Sequence, residues 1–153
     1  MKKKIILGVL AVLMIFTIVG CTTEKQTLAE SKWSLEIVGA DKITLTDLEC
    51  KELDLVELTA DLKKKDGSVI PQKWSGYKLV DIINLIGVSE YTSIVVEADD
   101  GYSAEYTPDI VNDPETILGI VRDGEEREKP MMVAKNQRGN FWIKNTSKLT
   151  INK

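Results

Sequence analysis

Histidine is absent from this sequence, and cysteine occurs only twice among its 153 residues. Without histidine, the usual general base near neutral pH is missing, and serine–histidine and cysteine–histidine catalysis are excluded. Two cysteines without histidine also argue against a structural zinc site. We therefore predict neither a metal site nor a catalytic residue from the side chains alone.

Acidic residues are absent from the first 20 positions, which carry three lysines after Met1 and then an apolar run over residues 5–19. A cationic start followed by an apolar run shorter than the roughly 20 residues of a spanning helix is typical of an export signal. The run ends in Ile18-Val19-Gly20-Cys21, which resembles the lipobox of bacterial lipoproteins. We therefore interpret residues 1–20 as a lipoprotein signal peptide and Cys21 as the lipid-attachment residue. An uncleaved anchor helix is the alternative.

The predicted lipid places the rest of the chain at the outer, extracytoplasmic face of the cell membrane, with the membrane itself as its first partner. Residues 21–32 are polar and are predicted to form a flexible tether. Residues 33–153 are long enough for one domain with its own core. Because Cys21 is assigned to lipid, Cys50 has no partner for an intrachain disulfide, and we interpret it as a small buried thiol.

Positive charge is scarce in this predicted mature chain, where 17 basic residues face 24 acidic ones and leave a net charge of −7. Such a balance disfavours nucleic acid and any broad anionic surface as a partner.

Short strands dominate the predicted elements, with two or three short helices between them. The clearest helix covers residues 78–86, where Leu79, Ile82, Ile83 and Ile86 share one face. Thr46 is expected to cap a short helix after it, and Pro108 to begin another. Alternating or β-branched segments predict strands over 33–38, 55–62, 93–98, 102–106, 116–122, 131–134, 140–144 and 148–151. The pattern indicates a single α+β domain.

Three segments in order resemble the sulfite-oxidase-like molybdopterin-binding domain. They are Trp74-Ser75-Gly76-Tyr77 leading into the helix, Asp99-Asp100-Gly101-Tyr102, and Gly139-Asn140-Phe141-Trp142-Ile143-Lys144. The resemblance spans residues 33–151 and implies an α+β domain with a mixed β-sheet, short helices and a molybdenum–pterin cofactor.

The sequence departs from that family at the position of the metal-ligating residue. The resemblance implies a metal-ligating cysteine just after the strand at residues 55–62, and this place holds Asp61-Leu62-Lys63-Lys64. A carboxylate is a poor substitute for a thiolate on a sulfur-bound metal. Cys50 lies upstream and does not match the ligand position. We therefore expect no resident cofactor, and molybdopterin stays as the alternative.

Five residues are candidates for a remnant ligand-binding cleft, and each has a plainer structural interpretation. Trp74 and Tyr77 either line a pocket or pack the following helix onto the sheet. Asp100 and Tyr102 lie either at a cleft mouth or in a solvated turn. Arg138 either holds an anion or keeps a hairpin tip soluble.

Together these observations predict a lipid-anchored, non-catalytic module that binds a small molecule or an envelope protein. A molybdopterin-dependent extracytoplasmic oxidoreductase and a purely structural envelope protein are the two alternatives.

Overall fold

The computed structural model describes residues 29–153. The predicted signal peptide, Cys21 and most of the predicted tether lie outside the described residues. Within residues 29–153, no helix has both the length and the apolar character needed to cross a membrane.

Strands make up most of the described chain. In order they are β1 (Ser34–Val38), β2 (Thr44–Thr46), β3 (Val56–Lys63), β4 (Val69–Lys78), β5 (Ser93–Ala98), β6 (Ser103–Tyr106), β7 (Thr116–Arg122), β8 (Glu125–Ala134) and β9 (Thr146–Asn152). The helices are short: α1 (Asp47–Cys50), α2 (Leu79–Leu85), α3 (Pro108–Val111) and a 3-10 turn at Gly139–Phe141. The domain is therefore dominated by β-structure, and its helices are connections between strands.

The strands form two sheets. One has the order β2-β1-β9-β5-β6 and is mixed, because β1 and β9 run parallel while the other pairs are antiparallel. The second has the order β3-β4-β7-β8 and is antiparallel throughout. The mixed sheet expected from the resemblance is present, and a second sheet accompanies it.

Apolar side chains cover both faces of the four-stranded sheet. Leu118 and Met132 belong to the main core together with α2 and the five-stranded sheet. Their neighbours along the strands, Ile117 and Val133, belong to a second cluster with Ala60, Trp74 and Trp142. Successive residues of a strand point to opposite faces, so this second cluster lies on the far side of the sheet from the main core.

Two predicted elements are wrong. Residues 74–77 were predicted only as the entry to the helix and in no strand, but they lie in β4, which pairs with β7 as far as Lys78. Residues 140–144 were expected to form a strand, but the chain makes the 3-10 turn there and contributes only the bridge between Met132 and Ile143. The helix beginning after Thr46 is confirmed, and the Thr46 amide donates to Glu49 Oε2 at 2.9 Å.

Candidate functional site

Trp74 is the centre of the second cluster and is almost fully buried. Its ring lies across β7 at Gly119, where a Cβ atom would come within 2.6 Å of Trp74 Cε3. Its indole nitrogen donates to Gln72 Oε1 at 3.1 Å, so the polar edge of the ring is satisfied within β4.

Trp142 brings the 3-10 turn onto this face of the sheet. Its ring meets that of Trp74 edge to face, with centroids 6.4 Å apart, and its indole nitrogen donates to the Ala134 carbonyl at 3.0 Å. These contacts hold the segment between β8 and β9 against the four-stranded sheet, near the end of β3.

A cleft with a volume of about 420 Å³ opens between the end of β3 and this segment. We call it the Arg138 cleft; its walls are Asp61, Leu62, Lys63, Lys135, Asn136, Gln137, Arg138, Gly139 and Trp142. Small-molecule sites commonly have volumes of about 300 to 1,000 Å³, with a few polar groups on apolar walls. The Arg138 cleft has the size and the mixed lining of such a site.

One side of the Arg138 cleft is held by hydrogen bonds to the turn before β7. The Lys135 ammonium forms an ion pair with Glu115, and Asn136 Nδ2 lies 3.0 Å from both Asp113 Oδ2 and Glu115 Oε2. The Lys135 hydrogen bond, followed by that of Asn136, lowers the pKa of the Glu115 carboxyl. Lys135 is therefore neutralised locally and serves to position the loop.

Lys63 and Arg138 carry the uncompensated positive charge of the cleft. Neither forms an ion pair with any residue in the range 29–153. Asp61 contributes a carboxylate to the same walls. The lining thus offers two cations that are free to bind an anion and one acceptor that suits a hydroxyl or an amine of the same ligand.

The five predicted cleft residues are not gathered at one place. Arg138 lines the Arg138 cleft. Trp74 underlies it through Trp142, whereas Tyr77 lies in the main core. Tyr102 is half exposed, and its hydroxyl donates to the Asn140 carbonyl at 3.1 Å, which ties β6 to the segment that carries Arg138.

Asp100 is a turn residue in the structure. Its Oδ1 accepts the Tyr102 amide at 3.0 Å, and Gly101 follows it with a φ of 86°. This arrangement matches the solvated-turn interpretation, with glycine placed where a left-handed backbone is needed.

The donor set does not fit a thiolate-ligated molybdenum. Cys50 is fully buried, and burial raises the pKa of its thiol to about 12, so that it stays protonated. The position that the resemblance assigns to the ligand carries Asp61 at the cleft wall. Within the described range, no three histidine, cysteine or acidic side chains are grouped so as to hold a metal ion.

Most of the cleft lining was not predicted from the sequence. Lys135, Asn136 and Gln137 lie in a loop whose polar composition alone indicates solvent exposure. Their role comes from contact with the end of β3, more than 70 positions earlier in the chain. The one usable signal was the Arg138-Gly139 pair one residue before Phe141-Trp142, where apolar side chains bring a cation to the sheet.

No family model matches this chain, and no curated protein matches its sequence. Among solved structures, the chain is similar to the sulfane dehydrogenase SoxCD from Paracoccus pantotrophus, with a TM-score of 0.68 and 18% sequence identity. The match covers 80% of this chain and 39% of that one, so this chain spans well under half of the matched protein. The likeness shows a shared fold, and it supports a sulfite-oxidase-like fold only distantly.

Proposed function

We propose that this protein is a lipid-anchored, extracytoplasmic binding module whose Arg138 cleft takes a small anion. The observation that carries the proposal is the pair of cations, Lys63 and Arg138, that line a cleft of suitable size without forming ion pairs within the described range. Binding an anion between them would give charge-assisted hydrogen bonds, which are the stronger class in proteins.

The chemistry of the cleft narrows the ligand class. A phosphate, sulfonate or carboxylate group suits Lys63 and Arg138, and a hydroxyl or amine on the same molecule suits Asp61. Trp142 forms an apolar wall, because its indole nitrogen is already bonded to Ala134. We therefore infer a small, partly apolar anion with at least one hydrogen-bond donor.

A titration with inorganic phosphate tests the cleft. The full chain should show a saturable rise in its thermal midpoint as phosphate is added, because ligand binds only the folded state. Arg138→Gln should weaken this binding by about tenfold or more, since a hydrogen bond to a charged group contributes roughly 1.5–3 kcal/mol. Because Arg138 is exposed, the Arg138→Gln variant should have the same thermal midpoint as the natural chain when phosphate is absent.

Lys51→Gln is the matched control, because it removes one exposed positive charge from the turn after α1. Equal phosphate binding by the Arg138 and Lys51 variants would mean that the cleft is not the site. A flat titration with phosphate, sulfate and small carboxylates would favour the purely structural envelope protein.

An oxidoreductase holding molybdopterin is the alternative that the fold likeness favours. Molybdenum analysis of the full chain purified from its native membrane separates the two proposals. We expect no stoichiometric molybdenum and no extractable pterin, because the cleft offers a carboxylate where a thiolate is needed. Stoichiometric metal would refute the non-catalytic proposal.

The anchor is tested independently of the cleft. Cys21→Ala should abolish acyl labelling and membrane retention, because the thiol is the expected acceptor of the lipid. Cys50→Ala should leave both unchanged and serves as the control for loss of a cysteine. Acyl labelling of the Cys21→Ala variant would refute the assignment.

A further inference from the structure

The end of the β3–β4 hairpin extends past its neighbouring strand. The pairing of β3 with β4 continues to Lys63 and Val69, whereas the pairing of β4 with β7 ends at Trp74 and Arg122. Residues 60–63 and 69–72 therefore form a two-stranded extension, closed by a turn at residues 64–68. We call residues 63–70 the hairpin tip.

Two large aliphatic side chains are exposed on the hairpin tip. Val69 is 49% exposed and Ile70 is 36% exposed. As consecutive residues of one strand they point to opposite faces. A flat protein surface could cover only one of these faces, whereas a medium that surrounds the tip could cover both.

Three backbone amides of the tip are paired within the turn. The Lys64 amide donates to the Ser68 carbonyl at 2.9 Å, and the Gly67 amide donates to the Lys64 carbonyl at 3.0 Å. Asp66 Oδ1 accepts the Ser68 amide at 2.9 Å. Because unpaired backbone groups are costly in an apolar medium, these bonds lower the cost of bringing the turn to the polar edge of one.

The charge of the tip is positive in an otherwise acidic chain. Lys63, Lys64 and Lys65 are consecutive and exposed, and none of them forms an ion pair with a residue of the described part of the chain. Asp66 is the one acidic residue among residues 63–70, so three lysines stand against one carboxylate in the tip. Lysines beside exposed aliphatic groups suit the headgroup region of a membrane.

We propose that the hairpin tip docks into the interface of an anionic phospholipid bilayer. The lysines would contact lipid phosphates while Val69 and Ile70 enter the headgroup and upper acyl region. An acidic protein would match the lysines but would leave one of the two aliphatic faces in water. The bilayer is therefore the partner that accounts for both the charge and the two-sided apolar exposure.

The hairpin tip and the N-terminal segment lie at the same end of the four-stranded sheet. This observation supports docking only if the proposed lipid anchor at Cys21 is present. Lys32 Nζ lies 2.6 Å from Glu126 Oε1 near the start of β8, so the N-terminal segment enters the domain beside the β7–β8 turn. The Lys73 amide donates to Asp123 Oδ1 of that same turn at 2.9 Å. The hairpin extension thus begins at the end of the sheet where the tether arrives.

The test places an environment-sensitive fluorophore on the tip of the full, lipidated chain. Ser68→Cys provides the attachment point, and Cys50 does not compete because it is fully buried. The chain is reconstituted into vesicles of phosphatidylcholine alone or of phosphatidylcholine and phosphatidylglycerol in equal parts. Docking should shift the emission to the blue and protect the label from an aqueous quencher in the anionic vesicles. A label at exposed Ser89 should show neither effect.

Two tip variants separate charge from apolar contact. Lys64→Gln with Lys65→Gln should lower the ratio of docked to undocked tips by about 30-fold, since each lysine contributes roughly 1 kcal/mol at an anionic surface. Val69→Thr with Ile70→Thr should abolish the blue shift while the β-branched residues keep the strand. Ile43→Thr removes an exposed aliphatic side chain elsewhere and should change nothing.

The inference fails if the label responds equally in both vesicle types or if the tip variants behave like Ile43→Thr. Neither Lys64 nor Lys65 lines the Arg138 cleft, so phosphate binding should survive in the lysine variant. Loss of docking with intact phosphate binding, or the reverse, therefore tells the two proposals apart. If Cys21 is not acylated, the position of the tip relative to an N-terminal anchor no longer supports docking. The difference in label response between the two vesicle types then decides the proposal by itself.

Discussion

At the scale of single residues, the packing of the second cluster depends on one glycine. Trp74 fits on the sheet because Gly119 has no Cβ to meet its ring. On the outside, the guanidinium carbons of Arg122 and Arg127 lie 6.0 Å and 5.8 Å from the centroid of the Trp74 ring. The Trp74 ring thus lies between the backbone of Gly119 and the guanidinium groups of Arg122 and Arg127. Because Trp142 packs on this ring, the position of Trp74 also determines the position of Trp142 and of the Arg138 cleft.

Replacing Gly119 with alanine tests this dependence. The added methyl would lie 2.6 Å from Trp74 Cε3, so the ring must move. We expect the free energy of unfolding to fall by about 1–3 kcal/mol, the usual cost of overpacking a filled core. Urea titration followed by tryptophan fluorescence measures both the stability and the changed surroundings of the ring.

Gly139→Ala is the matched control, because a Cβ at Gly139 would meet nothing within 4 Å. We expect it to leave the midpoint of the urea transition nearly unchanged. Equal losses in the two variants would contradict the role assigned to Gly119.

At the scale of the elements, prediction succeeded for inner strands, which pair with a neighbouring strand on each side. Residues 93–98 and 116–122 were predicted as strands with the bounds that the structure has, because their β-branched composition is a local property. The strand expected over residues 140–144 failed for a tertiary reason. The segment pairs with β8 only through the bridge between Met132 and Ile143, and the Trp142 indole bonds the Ala134 carbonyl at the end of β8.

The segment between β8 and β9 is held by a buried threonine. Thr146 Oγ1 accepts the Met132 amide at 2.9 Å and donates to the Ile143 carbonyl at 2.8 Å. Thr116, at the start of β7, is also buried, but its hydroxyl has no hydrogen-bond partner among residues 29–153. The same residue type therefore has opposite energetic roles at the first positions of two strands, β9 and β7.

Valine in place of each threonine should give effects of opposite sign. Thr146→Val removes both hydrogen bonds and should lower the free energy of unfolding by about 1–3 kcal/mol. Thr116→Val replaces an unsatisfied hydroxyl by a methyl of similar size and should be neutral or stabilising by up to about 1 kcal/mol. Urea titrations of both variants and of Thr146→Ser, which keeps the hydroxyl, provide the comparison. Similar losses in both valine variants would refute the assignment.

At the scale of the whole molecule, net charge and the local charge of one surface predict different partners. The value of −7 predicted that anionic surfaces are disfavoured, but charge is a sum, and a partner meets only part of a surface. The fold places Arg138 beside Lys63, although they are 75 positions apart. The order of elements could be predicted from local patterns, whereas this juxtaposition depends on how the segment before β9 packs on the second sheet.

Stability at high pH depends on Cys50, whose thiol is enclosed by the main core. Burial, and then the neighbouring carboxylates Glu49 and Asp47, raise the pKa of the thiol from 9.0 to about 12. The direction in which the free energy of unfolding changes with pH follows from the number of protons that each state binds. Between pH 9 and 12 the unfolded chain loses this proton while the folded chain keeps it, so the free energy of unfolding falls as pH rises. The contribution is fully present below pH 9.

We expect this single group to contribute a slope of up to about 1 kcal/mol per pH unit in that range. Urea titrations at a series of alkaline pH values should show a steeper decline for the natural chain than for Cys50→Ala, and the difference should vanish near neutral pH. The pKa of Tyr91 is raised by burial in both proteins, so its effect cancels in the comparison. The pKa of Tyr77 is raised by burial and then by the neighbouring Cys50, so a smaller shift of Tyr77 in Cys50→Ala adds to the expected difference in the same direction. Parallel curves for the two proteins would mean that the Cys50 thiol ionises in the folded state.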